Sequence, residues 1–326
     1  KPVGHVGITA MVVYSAVIGP KALNMSGKPW VQKAADWIIS KQREDGAFIS
    51  IESPGVEVYQ TSVAVKALAA LDKDKYHTSL QRAADYILKQ QLPADAPKHK
   101  AGGITYGGEV DETDMSNSHM ALEALVDAGY DMNSPQMKNL LGFLRRCQDD
   151  TEVNDLEWVK NGENGGGSIY KPSAVGSGGE DAGRGSKASW KAYGSMTYAM
   201  MESYLYLNLQ KDSPELKGAF KWMKNNYSVT ENPGVGQAGW YYYALVFAKT
   251  MRTYCSVYDV KTVTDSDGIE HFWADELAFE IIKRQEKNGS WQNEIPRWWE
   301  SDPVLCTTYA MGALGHCMLF KTETAE

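Results

Sequence analysis

Hydrophobic residues along this chain follow a helical period and recur in blocks of about sixty residues, which is typical of repeated helical pairs. The stretch Glu280–Trp291 shows how a block ends: a helix-forming half stops at Gln285, and Gly289 permits a turn that returns Trp291 to the helix. Four upstream stretches share the helix-ending pair of apolar residues followed four residues later by a polar one. The five repeat positions are Gln42, Gln91, Gln148, Tyr227 and Gln285.

A second set of helices alternates with this first set. Small residues at helical spacing, such as Ala64 and Ala67, mark the second set and recur at Ala121, Ala124 and Ala310. The pattern predicts second-set helices near 7–18, 59–71, 115–128, 193–209, 238–251 and 304–319, and first-set helices near 30–42, 79–91, 136–148, 215–227 and 274–286.

Small residues let helices approach closely, so the second set is expected to line an axis while the first set stays outside. We therefore predict an all-α fold, an α/α toroid of six inner and five outer helices that forms one domain over residues 1–326. A Gly/Ser-rich excursion near 164–189 and a small hairpin near 259–272 interrupt the repeats.

Composition narrows the possible partners. The net charge of −8 provides no basic surface for a nucleic acid. The apolar run 10–18 is shorter than the roughly 20 residues that a membrane helix needs, so no transmembrane segment is predicted. Four scattered cysteines indicate no disulfide framework. The oligomeric state stays open, as does the compartment, which is either cytoplasmic or reached by export after N-terminal processing.

The residues at the ends of the repeats resemble a known family motif. Gln285–Trp291 has the form Q-x-x-x-G-x-W, and Gln42–Phe48 is a near copy. The chain thus resembles the terpenoid cyclase and protein prenyltransferase superfamily, which includes the squalene cyclases. The resemblance implies an α/α toroid in which these Gln and aromatic side chains tie outer helices together, so that Gln42, Gln285 and Trp291 are structural.

Catalytic candidates cluster before the helix predicted at 115–128. Glu109, Asp111, Glu112 and Asp114 precede it, and His119 lies in its second turn. Two interpretations fit: an acidic cap on the positive end of the helix dipole, or an acid poised over a pocket beside His119. The catalytic candidates are Asp114, Asp111 and His119.

The squalene cyclases carry a D-x-D-D-T motif at the equivalent helix entry. Aligned here, the motif begins at Asp114, while Ser116 and Asn117 replace the two following acids. The cyclase acid is thus degenerate, and cyclisation stays possible only through Asp114, Asp111 or another group.

The prenyltransferase subunits hold zinc with an Asp and a Cys separated by one residue and a His on the last inner helix. Cys306 takes the place of that His, and no D-x-C precedes Tyr241. No metal and no cofactor are therefore expected, and Cys306 is predicted to be a buried thiol.

Aromatic residues concentrate at the predicted entrances of the second-set helices. Their faces suit a bulky apolar molecule, and they also suit sugar rings. The predicted ligand-binding residues are Tyr59, Tyr193, Tyr198, Trp240, Tyr241, Tyr242, Trp298, Trp299, Asp302 and Tyr309.

These observations predict a toroid that binds a hydrophobic, isoprenoid small molecule in an aromatic central cavity, with terpenoid cyclisation possible. Two alternatives remain: a polysaccharide-acting lyase or glycosidase on an α/α barrel, and a non-catalytic lipid carrier. Whether the protein is an enzyme is left open.

Overall fold

The computed structural model describes residues 4–50, 55–108, 110–161, 165–172 and 191–324. These residues form ten α-helices. Glu109 and residues 173–190, which include most of the predicted Gly/Ser-rich excursion, lie outside the described residues. The chain divides into two compact units, Lys1–Gly142 and Phe143–Glu326.

The first unit is built on three neighbouring helices of the second set. It contains α1 (Val6–Val17), α2 (Pro29–Ile39), α3 (Glu57–Lys89), strands β1 (Thr105–Gly107) and β2 (Val110–Thr113), α4 (Met115–Ala128) and most of α5 (Pro135–Cys147). Helix α3 packs against both α1 and α4, and α2 packs on α1. The antiparallel pair β1–β2 leads directly into α4.

The second unit repeats this arrangement. It contains α6 (Gly194–Tyr206), α7 (Pro214–Asn225), α8 (Trp240–Tyr258), strands β3 (Val263–Thr264) and β4 (Glu270–His271), α9 (Trp273–Lys283) and α10 (Pro303–Glu323). Helix α8 packs against α6 and α10, while α7 packs on α6 and α9 on α10. Strands β3 and β4 form a short antiparallel pair.

The predicted alternation of six second-set and five first-set helices is confirmed once α3 is divided at its kink. Asp72 has non-helical backbone angles there, and its carboxylate accepts a hydrogen bond from the Lys75 backbone N–H at 2.9 Å. Residues 57–71 thus belong to the second set and residues 73–89 to the first. The loop expected before residue 79 is instead helical, because the Asp72 carboxylate caps the second part of the helix directly after the kink.

Helix α10 is the one helix among the described residues that is long and apolar enough to cross a membrane. It has 21 residues, and 56% of its most apolar window is buried inside the protein. Packing against α8 and α9 accounts for that burial, as expected for a core helix.

The repeat glutamines join consecutive first-set helices. We call each such contact a glutamine joint: a Gln at the end of one helix donates through Nε2 to a glycine carbonyl in the following loop and to a backbone carbonyl of the next first-set helix. Gln42 donates to Gly46 and Ser79, Gln91 to Gly102 and Gln136, and Gln148 to Gly166 and Glu215, all at 2.8–3.1 Å.

The glycine of each joint lies against the next helix. A Cβ atom built on Gly46, Gly102 or Gly166 would come within 2.3 Å of a carbonyl oxygen, respectively that of Arg82, Asn139 or Gly218. All three glycines also have positive φ, so both backbone conformation and close approach require glycine.

The remaining repeat positions vary this contact. Tyr227 reaches the next helix through its hydroxyl, which donates to Glu276 at 3.0 Å. At the last repeat, the buried Trp291 donates through its indole N–H to the Ile281 carbonyl at 2.7 Å. Trp291 is therefore a structural residue, as predicted.

Candidate functional site

Asp114 is the N-cap of α4 and is almost completely buried. Its Oδ1 accepts a hydrogen bond from the Asn117 backbone N–H at 2.7 Å, and its Oδ2 accepts one from the Tyr106 hydroxyl. Strand β1 supplies Tyr106, so the hairpin and the helix hold the carboxylate from two sides. This geometry is that of a helix cap whose two oxygens are both occupied.

Asp111 lies in β2 and faces solvent, with 74% of its side chain exposed. Lys100 donates to its backbone carbonyl at 2.5 Å, and the Lys100 Nζ lies 3.6 Å from its carboxylate. Asp111 therefore belongs to an exposed charged strand and not to the buried surroundings of Asp114. Glu109 lies outside the described residues.

His119 is fully buried in α4 beside a buried ion pair. Its Nε2 lies 3.5 Å from the Glu123 carboxylate, which in turn is 2.5 Å from the Lys66 Nζ. The ammonium of Lys66 also lies 5.0 Å from the centre of the Tyr14 ring. Sequence reasoning missed Lys66 and Glu123, although Glu123 follows His119 at the i+4 spacing that places two side chains on one helix face.

Tyr59 stands in the first turn of α3, half-buried, with its ring 5.7 Å from that of Tyr106. The structure thus brings a predicted ligand-binding tyrosine close to the Asp114 cap. Asp111 contacts Lys100, Asp114 contacts Asn117 and Tyr106, and His119 lies beside Glu123.

In the second unit, the aromatic candidates gather around residues 297–300, which we call the tryptophan turn. Trp298 and Trp299 both have positive φ, 54° and 67°, in a short 3₁₀ helix that precedes α10. Bulky residues in this backbone region cost on the order of 1–3 kcal/mol each, and such strain occurs mainly at ligand sites. Trp299 is 65% exposed.

Trp298 forms a platform over the starts of two helices. Its ring stacks on that of Tyr193, the N-cap of α6, with 6.2 Å between centroids and 7° between planes. Gly239 is the N-cap of α8, and a Cβ built on it would lie 2.6 Å from the Trp298 ring. Only glycine therefore leaves room for the indole at this position. The guanidinium of Arg297 lies 4.5 Å from the centre of the same ring.

Glu300 joins the tryptophan turn to the start of α8. Its fully buried carboxyl accepts hydrogen bonds from the backbone N–H groups of Tyr241 and Tyr242 at 3.2 and 2.8 Å, and from the Asn293 amide at 2.7 Å. Burial raises the pKa of this carboxyl above its usual range, and these donors oppose the shift. Glu300 thereby caps α8 from a distant part of the chain.

Helix α10 begins beside this turn. Asp302 is its N-cap and accepts from the Val304 backbone N–H at 2.7 Å. Cys306 is a buried thiol, as predicted, and donates to the Glu300 carbonyl at 3.0 Å. Burial raises the pKa of the Cys306 thiol to about 12, which favours its neutral form.

The other aromatic candidates make ring contacts of their own. The rings of Tyr242 and Tyr309 meet edge to face at 5.9 Å. Tyr198 is buried against Phe247, and burial raises the pKa of its hydroxyl. Trp240 is fully buried, and the Arg284 guanidinium lies 3.6 Å from the centre of its ring.

Tyr241 is also buried, and burial raises the pKa of its hydroxyl. The structure therefore stacks Tyr193 on Trp298 and joins Tyr241, Tyr242 and Asp302 to the tryptophan turn through backbone hydrogen bonds. Sequence reasoning missed Arg297 and Glu300. The adjacent pair Trp298–Trp299 was the signal that could have drawn attention to both.

Comparison with known proteins agrees with this architecture. The prenyltransferase alpha-alpha toroid domain family matches residues 8–97 and 64–170, which together span half of the chain. Among solved structures, the chain is similar to Candida albicans protein geranylgeranyltransferase-I complexed with GGPP, with 14% sequence identity and a TM-score of 0.51. That similarity covers 95% of this chain and 83% of the other, and at this identity it shows the fold alone. No curated protein matches the sequence.

The match over residues 8–170 coincides with the first repeats, and its two overlapping segments reflect the internal repetition of helical pairs. The glutamine joints and the two alternating helix sets provide the physical basis for that match. By sequence and by fold, this chain belongs to the prenyltransferase alpha-alpha toroid domain family.

Proposed function

We propose that this protein binds an isoprenoid ligand at the tryptophan turn of its second unit and does not cyclise it. The observation that carries the proposal is the parallel stack of Tyr193 and Trp298, followed in the chain by the exposed Trp299. A flat aromatic platform with one exposed indole offers apolar contact area to a long hydrocarbon chain.

Two further observations favour an isoprenoid diphosphate. The similar structure from Candida albicans is a complex with GGPP. In this chain, the Arg297 guanidinium lies against the Trp298 ring, so a fixed positive charge stands beside the platform. Arginine matches phosphate geometry well, and an isoprenoid diphosphate presents both an apolar chain and a phosphate group.

The surroundings of Asp114 argue against cyclisation by the squalene cyclase route. That reaction needs a strong acid directed at an alkene or epoxide. Asp114 instead holds Asn117 and Tyr106 with its two oxygens, and Ser116 and Asn117 occupy the other acid positions of the motif. Both oxygens thus contact hydrogen-bond donors of the protein itself.

Isothermal titration calorimetry with geranylgeranyl diphosphate and geranylgeraniol tests the proposal. Trp299→Ala should weaken binding of both about tenfold, since losing the burial of one aromatic face costs about 1.4 kcal/mol. Arg297→Gln should weaken only the diphosphate. Phe272→Ala removes another exposed aromatic ring and should leave both affinities unchanged.

Two outcomes would overturn the proposal. Binding of oligosaccharides in place of the isoprenoids, lost in Trp299→Ala, would favour the polysaccharide-acting alternative. A cyclic product from squalene or oxidosqualene that disappears in Asp114→Asn would make Asp114 a proton donor and the protein a cyclase.

A further inference from the structure

Asn293 closes the loop that carries the tryptophan turn. Its backbone N–H donates to the Glu300 carbonyl at 2.9 Å, and its side-chain oxygen accepts from the Ile295 backbone N–H at 3.0 Å. Its amide nitrogen donates to the Glu300 carboxyl and to the Gln237 carbonyl, both at 2.7 Å. Asn293 is buried, so both N–H groups of its amide and the amide oxygen find their partners inside the protein.

A second buried asparagine, Asn232, closes the loop before α8. Its backbone N–H donates to the Gly236 carbonyl at 2.8 Å, and its amide nitrogen donates to the Ala238 carbonyl at 3.1 Å. Its amide oxygen accepts from the backbone N–H of Ser195, in the first turn of α6, at 3.0 Å. Asn232 therefore attaches this loop to the end of the helix that Tyr193 caps.

The two asparagines connect the two rings of the aromatic stack. Asn232 holds the loop before α8 against the start of α6, whose N-cap is Tyr193. Asn293 holds the loop that contains Trp298 against Gln237, which belongs to the loop before α8. A continuous set of buried hydrogen bonds therefore runs from the helix end that carries one ring to the turn that carries the other.

We infer that Asn293 is a positioning residue of the ligand site proposed above: it keeps the tryptophan turn in its strained conformation and the Trp298 ring parallel to that of Tyr193. Backbone strain like that of Trp298 and Trp299 persists only where the surroundings enforce it. A site that is ordered before its ligand arrives loses less conformational freedom on binding. The effect on binding rests on the proposed function, whereas the effect on the turn needs no ligand.

Asn293→Asp is the variant that tests the inference. Aspartate has nearly the same shape, but its carboxylate cannot donate a hydrogen bond, so it places an acceptor against the Gln237 carbonyl and the Glu300 carboxyl. Asn293→Ala removes the amide without adding a charge. It gives the same measurements in a second background, should Asn293→Asp not fold.

Asn154 provides a matched control in the loop that follows α5. It is buried, and its amide nitrogen donates to the Arg146 and Gln148 carbonyls at 3.0 and 2.7 Å. Its amide oxygen accepts from the Leu156 backbone N–H at 3.0 Å, just as Asn293 accepts from the residue two positions later. Asn154→Asp therefore loses the same kinds of hydrogen bond in a different loop.

Hydrogen exchange followed by mass spectrometry measures the order of the turn without a ligand. Peptides that cover residues 292–302 should exchange about tenfold faster in Asn293→Asp than in the parent, because the loop opens more often once its closing bonds are lost. In Asn154→Asp these peptides should exchange at the parent rate.

Isothermal titration calorimetry then measures the site. Asn293→Asp should bind geranylgeranyl diphosphate and geranylgeraniol alike about tenfold more weakly, since the turn must be ordered when either ligand binds. Asn154→Asp should bind both like the parent, although urea unfolding should show that both variants lose stability.

The inference fails if residues 292–302 of Asn293→Asp exchange at the parent rate, or if Asn154→Asp weakens isoprenoid binding as much as Asn293→Asp does. It also fails if the turn exchanges faster while both affinities stay unchanged, because Asn293 would then serve stability alone. A parent protein that binds neither isoprenoid refutes the proposed function instead. Exchange in residues 292–302 then decides by itself whether Asn293 holds the tryptophan turn.

Discussion

At the scale of single residues, two buried carboxyl groups show how surroundings assign a role. Asp114 caps its own helix and is held by Tyr106, eight residues earlier in the chain. Glu300 caps α8 across some sixty residues of sequence, and burial raises its pKa. The first role can be predicted from an acid that precedes a helix. The second cannot, because no local pattern connects Glu300 to Tyr241.

The raised pKa of Glu300 predicts a pH dependence of stability. Folding favours the neutral carboxyl, so its stabilising contribution is fully present below the unfolded-state pKa of about 4.3 and is lost as pH rises through the folded-state pKa. Glu300→Gln stays neutral and lacks this loss. Urea unfolding at a series of pH values should show the parent losing stability relative to Glu300→Gln as pH rises from about 4. A relative gain with rising pH would mean that the folded protein prefers the carboxylate.

The joint glycines predict a matched pair of stability changes. An alanine at Gly102 or at Gly289 must adopt a similar positive φ. This strain should lower the free energy of unfolding by about 1–2 kcal/mol in either variant. Only at Gly102 would the new Cβ also strike a carbonyl oxygen, that of Asn139, which adds about 1–3 kcal/mol of overpacking. Urea unfolding of dilute protein should therefore show Gly102→Ala to be the less stable variant. Equal losses would contradict the close approach.

At the scale of elements, the repeat pattern located all eleven helical segments because apolar spacing and joint glutamines are local features. The sequence did not show that α3 continues after Asp72, since helix formers lie on both sides of a kink that only the cap at Lys75 defines. Nor did it show the β1–β2 pair, whose bonds follow from the chain reversal at Gly107 and Gly108. The tryptophan turn escaped prediction because contacts with α6 and α8 determine its backbone.

The joints also predict that equivalent glutamines contribute different amounts to the free energy of unfolding. Gln148 is buried, donates to two carbonyls and accepts from the Tyr204 hydroxyl at 2.8 Å. Gln285 donates to one carbonyl and is exposed. Leaving buried partners unsatisfied costs about 1–3 kcal/mol each, so Gln148→Leu should lower the free energy of unfolding by several kcal/mol. Gln285→Leu should change it little, and a comparable loss would contradict this difference between the two joints.

At the scale of the whole molecule, membership of the toroid family defines the scaffold but not the chemistry. The resemblance drawn from the sequence predicts Ser116 and Asn117 at two acid positions of the cyclase motif, and Cys306 at the position of a zinc-binding histidine. What the chain adds is a strained aromatic turn with an arginine against it. The ligand site that we propose is therefore in the second unit and does not include the acidic cluster that the sequence first suggested.

The most direct measurement is photoaffinity labelling with a photoreactive analogue of geranylgeranyl diphosphate, followed by mass spectrometric mapping of the labelled peptides. We expect the label on the peptides that contain Tyr193 and Trp298–Trp299, with labelling suppressed by excess geranylgeranyl diphosphate and reduced in Trp299→Ala. Labelling concentrated around Asp114 and Tyr59, or labelling of the tryptophan turn that excess ligand does not suppress, would contradict the account.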